Sequence, residues 1–174
     1  MEGFEVTKIG KHIFCILDAG NSSFYMVEGD KKAAVIDTGI TTGKKITPLL
    51  RELTDKPLLL VATHVHCDHI YHMDEFEEVY MCHDEKKIEE TTLRTLTAGR
   101  LKPWDEIHDI HTDSVISLGG TELRICQVPG HTPGSIVIWK PGRITCSQAM
   151  RSEADVESGC RFQDQRILKH ITTV

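Results

Sequence analysis

The eleven residues Ala62 to His72, ATHVHCDHIYH, carry four histidines and an aspartate directly after the apolar run PLLLV. His64 and His66 are separated by one residue at the end of a strand pattern, so in extended backbone both imidazoles leave the same face. Two imidazoles on one face suit a borderline-soft divalent metal. Asp68 and His69 follow where a helix is expected to begin, because Asp is favoured at an N-cap or in a first turn and DHIYHMDEF can carry the turn onward. The cluster can thus present two ligand groups toward two adjacent sites. A lone histidine is most simply a satisfied core or surface residue, but HxHxDH at a strand end is too specific a set for that reading. His72, three residues past His69, faces along the same surface as an outer partner of the ligands or toward solvent. His108 and His111 in IHDIH lack flanking cysteine or carboxylate and read as surface residues.

A second stretch fits the first. VPGHTPGS, Val128 to Ser135, sets His131 in a loop fixed by glycine and proline directly after a strand, the kind of loop that positions a ligand on a rigid scaffold.

These loops need strands behind them. FEVTKIG, HIFCIL, SFYMVEG and KAAVIDTG are short, rich in β-branched and aromatic residues and bounded by Gly, Asn and Asp, so they predict a meander with a hairpin turn at EGDKK. Ile46, Leu49, Leu50 and Leu53 recur with helical spacing and place an apolar stripe on a helix that TDKP terminates. PLLLVATH predicts a buried strand and EEVYMC another. DEKKIEETTLRTLTAG predicts a polar helix ending at Gly99, its Glu and Lys residues forming a solvated face. This thin-striped helix and the KPWDEIHD loop are expected to wall a cleft. DSVISLGGTELRICQVPG predicts two strands around a Gly119-Gly120 turn, GSIVIW another, and KPGR a hairpin into ITCS. The order suits a layered mixed α/β domain.

The chain has 174 residues, enough for one domain with a real core. A net charge of -6 gives no electrostatic reason to expect nucleic acid as a steady partner. No run of about 18 apolar residues and no charged lead before an apolar signal core is present, so no membrane partner is expected and the chain is read as cytoplasmic. The six cysteines (Cys15, Cys67, Cys82, Cys126, Cys146 and Cys160) lie far apart with no CxxC pair, which fits free thiols in a reducing compartment.

THVHCDHI together with PGHTPGSIVIW, preceded by SSFYMVEGDKKAAVIDTG, resembles the metallo-β-lactamase superfamily over roughly residues 10–146. The resemblance implies an α+β, four-layer αββα fold and a glyoxalase-II-like metallo-hydrolase with one or two metal ions. It implies that His64, His66 and His131 bind the first zinc, that Asp68 and His69 help bind the second, and that Asp37 of IDTG steadies the ligand loop. Manganese and iron are compatible with the same donors. The implied chemistry is metal-assisted hydrolysis of a small molecule: a metal-bound water loses a proton near neutral pH and attacks a carbonyl or phosphoryl centre, with Asp68 as the catalytic residue that orients it or accepts its proton.

The chain departs from the family after GRI. The family carries a bridging aspartate in a pattern like LFxGD and a last histidine in a Gly-His turn. Here Gln148 stands near the aspartate position, and the only later histidine is His170. Glutamine is neutral and cannot bridge two cations as a carboxylate does. Residues 1–146 are therefore read as the resembling domain, its C-terminal half incomplete, and 147–174 as an atypical tail. Degenerate codons for Ile-Thr-Cys-Ser-Gln-Ala-Met, read from each third base, permit Leu-Phe-Ser-Gly-Asp, so the tail is read either as an out-of-frame translation or as a natural divergent end. An uncovered apolar sheet surface of a few hundred Å² is worth several kcal/mol at about 25 cal/mol per Å², and a homodimer covering it is the expected consequence.

Three functions follow. The first is a zinc hydrolase of a small ester, thioester, lactone or phosphodiester, its activity impaired by the missing ligands. The second is a non-catalytic remnant holding one metal. The third is a flavodiiron-like redox domain, disfavoured because that branch carries Glu where this chain has His66.

Overall fold

Short runs rich in β-branched and aromatic residues, separated by turn residues, produce four strands in succession in the first quarter of the chain: β1 (Phe4–Gly10), β2 (Ile13–Asp18), β3 (Ser23–Glu28) and β4 (Ala33–Ile36). They pair as antiparallel neighbours, the expected meander. The computed structural model describes residues 3–19 and 22–141. Cys146, Gln148, Cys160, His170, the hairpin expected at KPGR and the tail from 147 onward lie outside the described residues.

The meander then changes character. β5 (Leu58–Val61), β6 (Glu78–Met81) and β7 (Ile107–Asp109) add to β4 in parallel, completing a seven-stranded sheet in sequential order. Parallel neighbours need crossovers, and α1 (Thr47–Leu53) supplies the one between β4 and β5. Ile46, Leu49 and Leu50 of the expected apolar stripe are buried. Glu75 closes the start of α1, accepting from the backbone amides of Ile46 at 3.1 Å and Thr47 at 2.9 Å.

β8 (Val115–Ser117), β9 (Glu122–Gln127) and β10 (Ile136–Trp139) form a second, antiparallel sheet. The strands of the large sheet are apolar on both faces because both are covered. Val35 and Leu60 point to a core with Leu49, Leu50 and Ile70, while Ile36, Leu59 and Val61 point to a core with Leu123, Ile125, Ile136 and Ile138. The described residues thus form helices, large sheet and small sheet in three packed layers, consistent with the expected α+β fold.

Gly29, in the β3–β4 turn, is required by close approach: a Cβ there would lie 2.4 Å from the backbone oxygen of Leu118. The turn docks on the second sheet through Lys31, whose amide donates to that oxygen at 2.9 Å.

One expectation is corrected. The helix predicted from Asp84 to Gly99 is two pieces, a 3₁₀ turn (His83–Lys87) and a helix (Glu90–Leu96), with extended Ile88 and Glu89 between them. Glu89 causes the break, since its carboxylate accepts from the amides of Thr91 and Thr92 at 3.0 Å each and starts a new helix there. The four-residue ligand helix Cys67–Ile70 is α2, and Glu90–Leu96 is α3. α3 has no buried residues, as its thin stripe predicts.

Candidate metal centre

β4 and β5 are parallel, so both deliver the chain to the same edge of the large sheet. At the end of β4 come Asp37 and Thr38; at the end of β5 come Thr63, His64, Val65 and His66, followed by α2. Asp37 has a left-handed backbone with φ of 63°, which Asp tolerates better than most residues. That turn drives its carboxylate into the β5 loop. Oδ1 accepts from the Thr63 amide at 2.8 Å, and Oδ2 lies 2.8 Å from His69 Nδ1. The expected steadying role of Asp37 is therefore direct.

Thr63 extends the same network. Its hydroxyl lies 2.9 and 3.0 Å from the Asp37 oxygens and 3.2 Å from His64 Nδ1. Donating to Asp37, the hydroxyl can accept a hydrogen bond from His64 Nδ1–H, which assigns the His64 tautomer and leaves Nε2 with its lone pair. His64 Nε2 is buried with no hydrogen-bond partner. Burial, followed by the neighbouring imidazoles of His69, His66 and His131, pushes the His64 pKa down to about 2, so this imidazole is neutral at any working pH.

The second sheet supplies the third histidine. The loop between β9 and β10 is closed by Val128 donating to Ser135 at 2.8 Å and by Thr132 donating to Ser135 Oγ at 3.0 Å. The Ile136 amide donates to the Thr63 carbonyl at 3.0 Å, joining the two sheets beside the cluster. His131 Nε2 comes within 3.0 Å of His66 Nδ1. One ligand atom from each of His64, His66 and His131 lies within 4.8 Å of the others. Tetrahedral zinc with about 2.0–2.1 Å bonds needs nitrogens little more than 3 Å apart, so the set is close to a coordinating arrangement. Burial and the nearby His131 hold His66 below the usual imidazole range. His64 is buried, His66 half-buried and His131 exposed, so one side of the cluster is open, as a catalytic rather than a closed structural site requires. An unpartnered buried nitrogen among three converging imidazoles fits a divalent metal.

Asp68 and His69 lie beside this set, but among the described residues they do not form a second group of three converging ligand atoms. They pair with each other, His69 Nε2 standing 3.5 Å from Asp68 Oδ2. Burial alone would lower His69; the charge and hydrogen bond of Asp37, then those of Asp68, more than offset it and push the imidazole up to about 10. The hydrogen bond from His69 holds Asp68 down to about 2. The His69 ring thus stands between the carboxyl groups of Asp37 and Asp68.

His72 is an outer residue and is not solvent-facing: it is buried, with Nδ1 2.8 Å from Glu75 Oε1. His108 and His111 are exposed, as read. Arg100 stacks on Tyr71, which follows α2, with its guanidinium 4.2 Å from the ring centroid, so the segment after α3 is laid against the ligand helix.

Glu85 was not legible as part of the site. Read as one of a solvated set, it is instead fully buried. Its Oε1 accepts from the Val65 amide at 3.2 Å and from the Thr132 hydroxyl at 2.5 Å. Desolvation holds its carboxyl above the ordinary range against the pull of the Thr132 hydroxyl and of the Gly134 and Val65 amides.

The family model described as the Metallo-beta-lactamase superfamily matches residues 17–146. The human protein "Acyl-coenzyme A thioesterase MBLAC2" is 28% identical over 176 aligned positions, taking in 79% of this chain and 62% of the human one. "Probable metallo-hydrolase YqgX" of Bacillus subtilis strain 168 is 32% identical over 125 positions, 64% of this chain and 57% of that one. The chain thus spans about three fifths of the length of these relatives. Among solved structures, a metallo-beta-lactamase from Pontibacter korlensis superposes with a TM-score of 0.59 at 23% identity, covering 79% of this chain and 67% of that one, a likeness of fold.

Proposed function

The chain belongs to the metallo-beta-lactamase superfamily, and on that premise we propose that it is a zinc-dependent hydrolase of a small thioester, ester, lactone or phosphodiester. The observation that carries this reading is the convergence of His64, His66 and His131 with a buried, unpartnered His64 Nε2. The name of the human relative supports placing the thioester first.

His64, His66 and His131 would hold the first ion, with Asp68 and His69 contributing to a second. A divalent ion there supplies Lewis acidity and brings the pKa of water to about 7. The protein's own groups do the rest. Asp37 and Thr63 fix the ring orientations of His69 and His64. Asp68, partly exposed beside the three histidines, would orient a water by accepting its hydrogen bond. The open side at His131 admits a small-molecule substrate. No helix among the described residues is long and apolar enough to cross a membrane. The described cysteines are free thiols, which supports a reducing compartment such as the cytoplasm.

A second reading, a metal-binding protein with one ion and no turnover, is favoured by one observation: among the described residues only the three histidines converge. The full chain loaded with Zn²⁺, Mn²⁺ or Fe²⁺ and assayed on acyl-coenzyme A, a glutathione thioester, a lactone and bis(p-nitrophenyl) phosphate separates the two. Turnover of a thioester above the His131→Ala background is expected. One bound ion per chain with no turnover on any substrate contradicts the hydrolase and leaves the second reading.

A further inference from the structure

The ligand loops come from different sheets. His64 and His66 follow β5 of the large sheet, His131 follows β9 of the small one, and three imidazoles form one site only if the two loops keep a fixed separation. We infer that Glu85 is the positioning residue that fixes it, and through it the affinity for the metal.

The argument begins with which atoms Glu85 holds. One oxygen, Oε1, takes both hydrogen bonds: the amide of Val65, the residue between His64 and His66, and the hydroxyl of Thr132, the residue after His131. A single buried carboxylate oxygen is thus shared by the two segments that carry all three ligands. Two donors sharing one buried acceptor atom must both come within hydrogen-bond distance of the same point, which fixes their separation. The loop also packs on the same side chain: a Cβ on Gly134 would lie 2.6 Å from Glu85 Cγ and 2.9 Å from its backbone nitrogen, so glycine is what lets the His131 loop come this close.

A tie positions only if its own end is fixed. The 3₁₀ turn carrying Glu85 is pinned on both flanks. The His83 amide donates to Asp109 Oδ1 at 2.8 Å, His83 Nε2 lies 2.9 Å from the Ile107 carbonyl, and Gln127 Nε2 donates to Asp84 Oδ2 at 3.2 Å. Asp109 and Ile107 belong to β7 of the large sheet and Gln127 to β9 of the small one. The turn therefore stands on both sheets, and its one inward side chain reaches both ligand loops. Outer partners that orient metal ligands change affinity by about 10–100-fold when removed.

The test uses the full chain, zinc alone as probe, and competition with a chromophoric chelator to read its dissociation constant. Melting of the metal-free forms is measured beside it. Glu85→Leu removes both bonds and is expected to weaken zinc binding at least about tenfold. Glu85→Gln keeps an oxygen that can accept from both donors and is expected to stay within about threefold of wild type. Thr132→Val removes one of the two bonds to Oε1, together with the contact of the Thr132 hydroxyl with Ser135 Oγ at 2.8 Å, and is expected to fall between them. Ser135→Ala, which removes the Ser135 Oγ contacts and keeps the bond from Thr132 to Glu85, is expected to leave zinc affinity near wild type, and the two variants decide the matter if Glu85→Leu does not fold. A merely structural role would lower the melting temperature of the metal-free form without changing zinc affinity. Unchanged affinity in a folded Glu85→Leu or in Thr132→Val overturns the inference, as does a Glu85→Gln as weak as Glu85→Leu. The inference rests on the three-histidine site: a wild type that takes up no zinc overturns both, whereas tight wild-type binding with unaffected variants overturns the role of Glu85 alone.

Discussion

Asp37 Oδ2 and His69 Nδ1 lie 2.8 Å apart, joining the left-handed turn after β4 to the ligand helix α2 through residues 1% and 5% exposed. Because the same carboxylate also receives the amide and hydroxyl of Thr63, one buried anion orients the segment that carries His64 and His66. Removing one partner of a buried pair strands the other, at a cost of about 3 kcal/mol or more.

The first prediction concerns this pair in the metal-free protein. His69 is raised from 6.5 to about 10, so the folded state keeps a proton that the unfolded chain releases. Its contribution is fully present below about pH 6.5 and is lost as pH rises toward 10. Melting temperature is expected to decline across that window. Asp37→Asn should lower it by about 6–12 °C at pH 6 and flatten the decline. Melts of chelator-treated protein check this; an equal slope in the variant would disprove it.

The second concerns Thr63. Its hydroxyl stands between Asp37 and His64 Nδ1, so Thr63→Val releases the His64 ring and should weaken zinc binding about tenfold, while Thr63→Ser restores it. Chelator competition on the two variants decides the point, and a valine variant with wild-type affinity counts against the tautomer assignment.

The third concerns Glu75, which accepts from Ile46, Thr47 and His72. Burial would raise its carboxyl, but these donors hold it below 4.5, so its stabilisation is present above that pH and lost as pH falls through the folded value. Glu75→Gln is expected to cost about 2 kcal/mol at pH 7, a fall of about 4–8 °C, and the gap to wild type should narrow by pH 3.5. Melts at the two pH values test the sign.

What could be read from the chain and what could not divide along physical lines. Strands β1 to β5 and the ligands His64, His66 and His131 were legible because apolar β-branched runs bounded by turn residues, and ligand spacing, are local patterns. The burial of Glu85 was not, because its partners Val65, Thr132 and Gly134 are far away in sequence and HDEKK has the composition of a solvated turn. β7 was missed because three residues, Ile107–Asp109, are too short to show a period. The divided helix was missed because Glu89 acts as a cap inside a run of helix formers. Asp68 and His69 were placed by resemblance, and their second-site role remains a proposal.

The fourth prediction concerns the tail, which bears on the second site. We expect a single shift of the coding DNA near Ile144 to open a frame reading Leu-Phe-Ser-Gly-Asp and a later Gly-His. Reading that DNA checks it, and the absence of such a frame contradicts the expectation.

The central claim is that His64, His66 and His131 form one metal centre. Its most direct test is metal content per folded chain, measured by mass spectrometry on wild type and on His131→Ala after loading with zinc and desalting. At least one ion per wild-type chain and its loss in the variant are expected. Zinc retained at wild-type stoichiometry by His131→Ala, or none bound by wild type, would contradict the account.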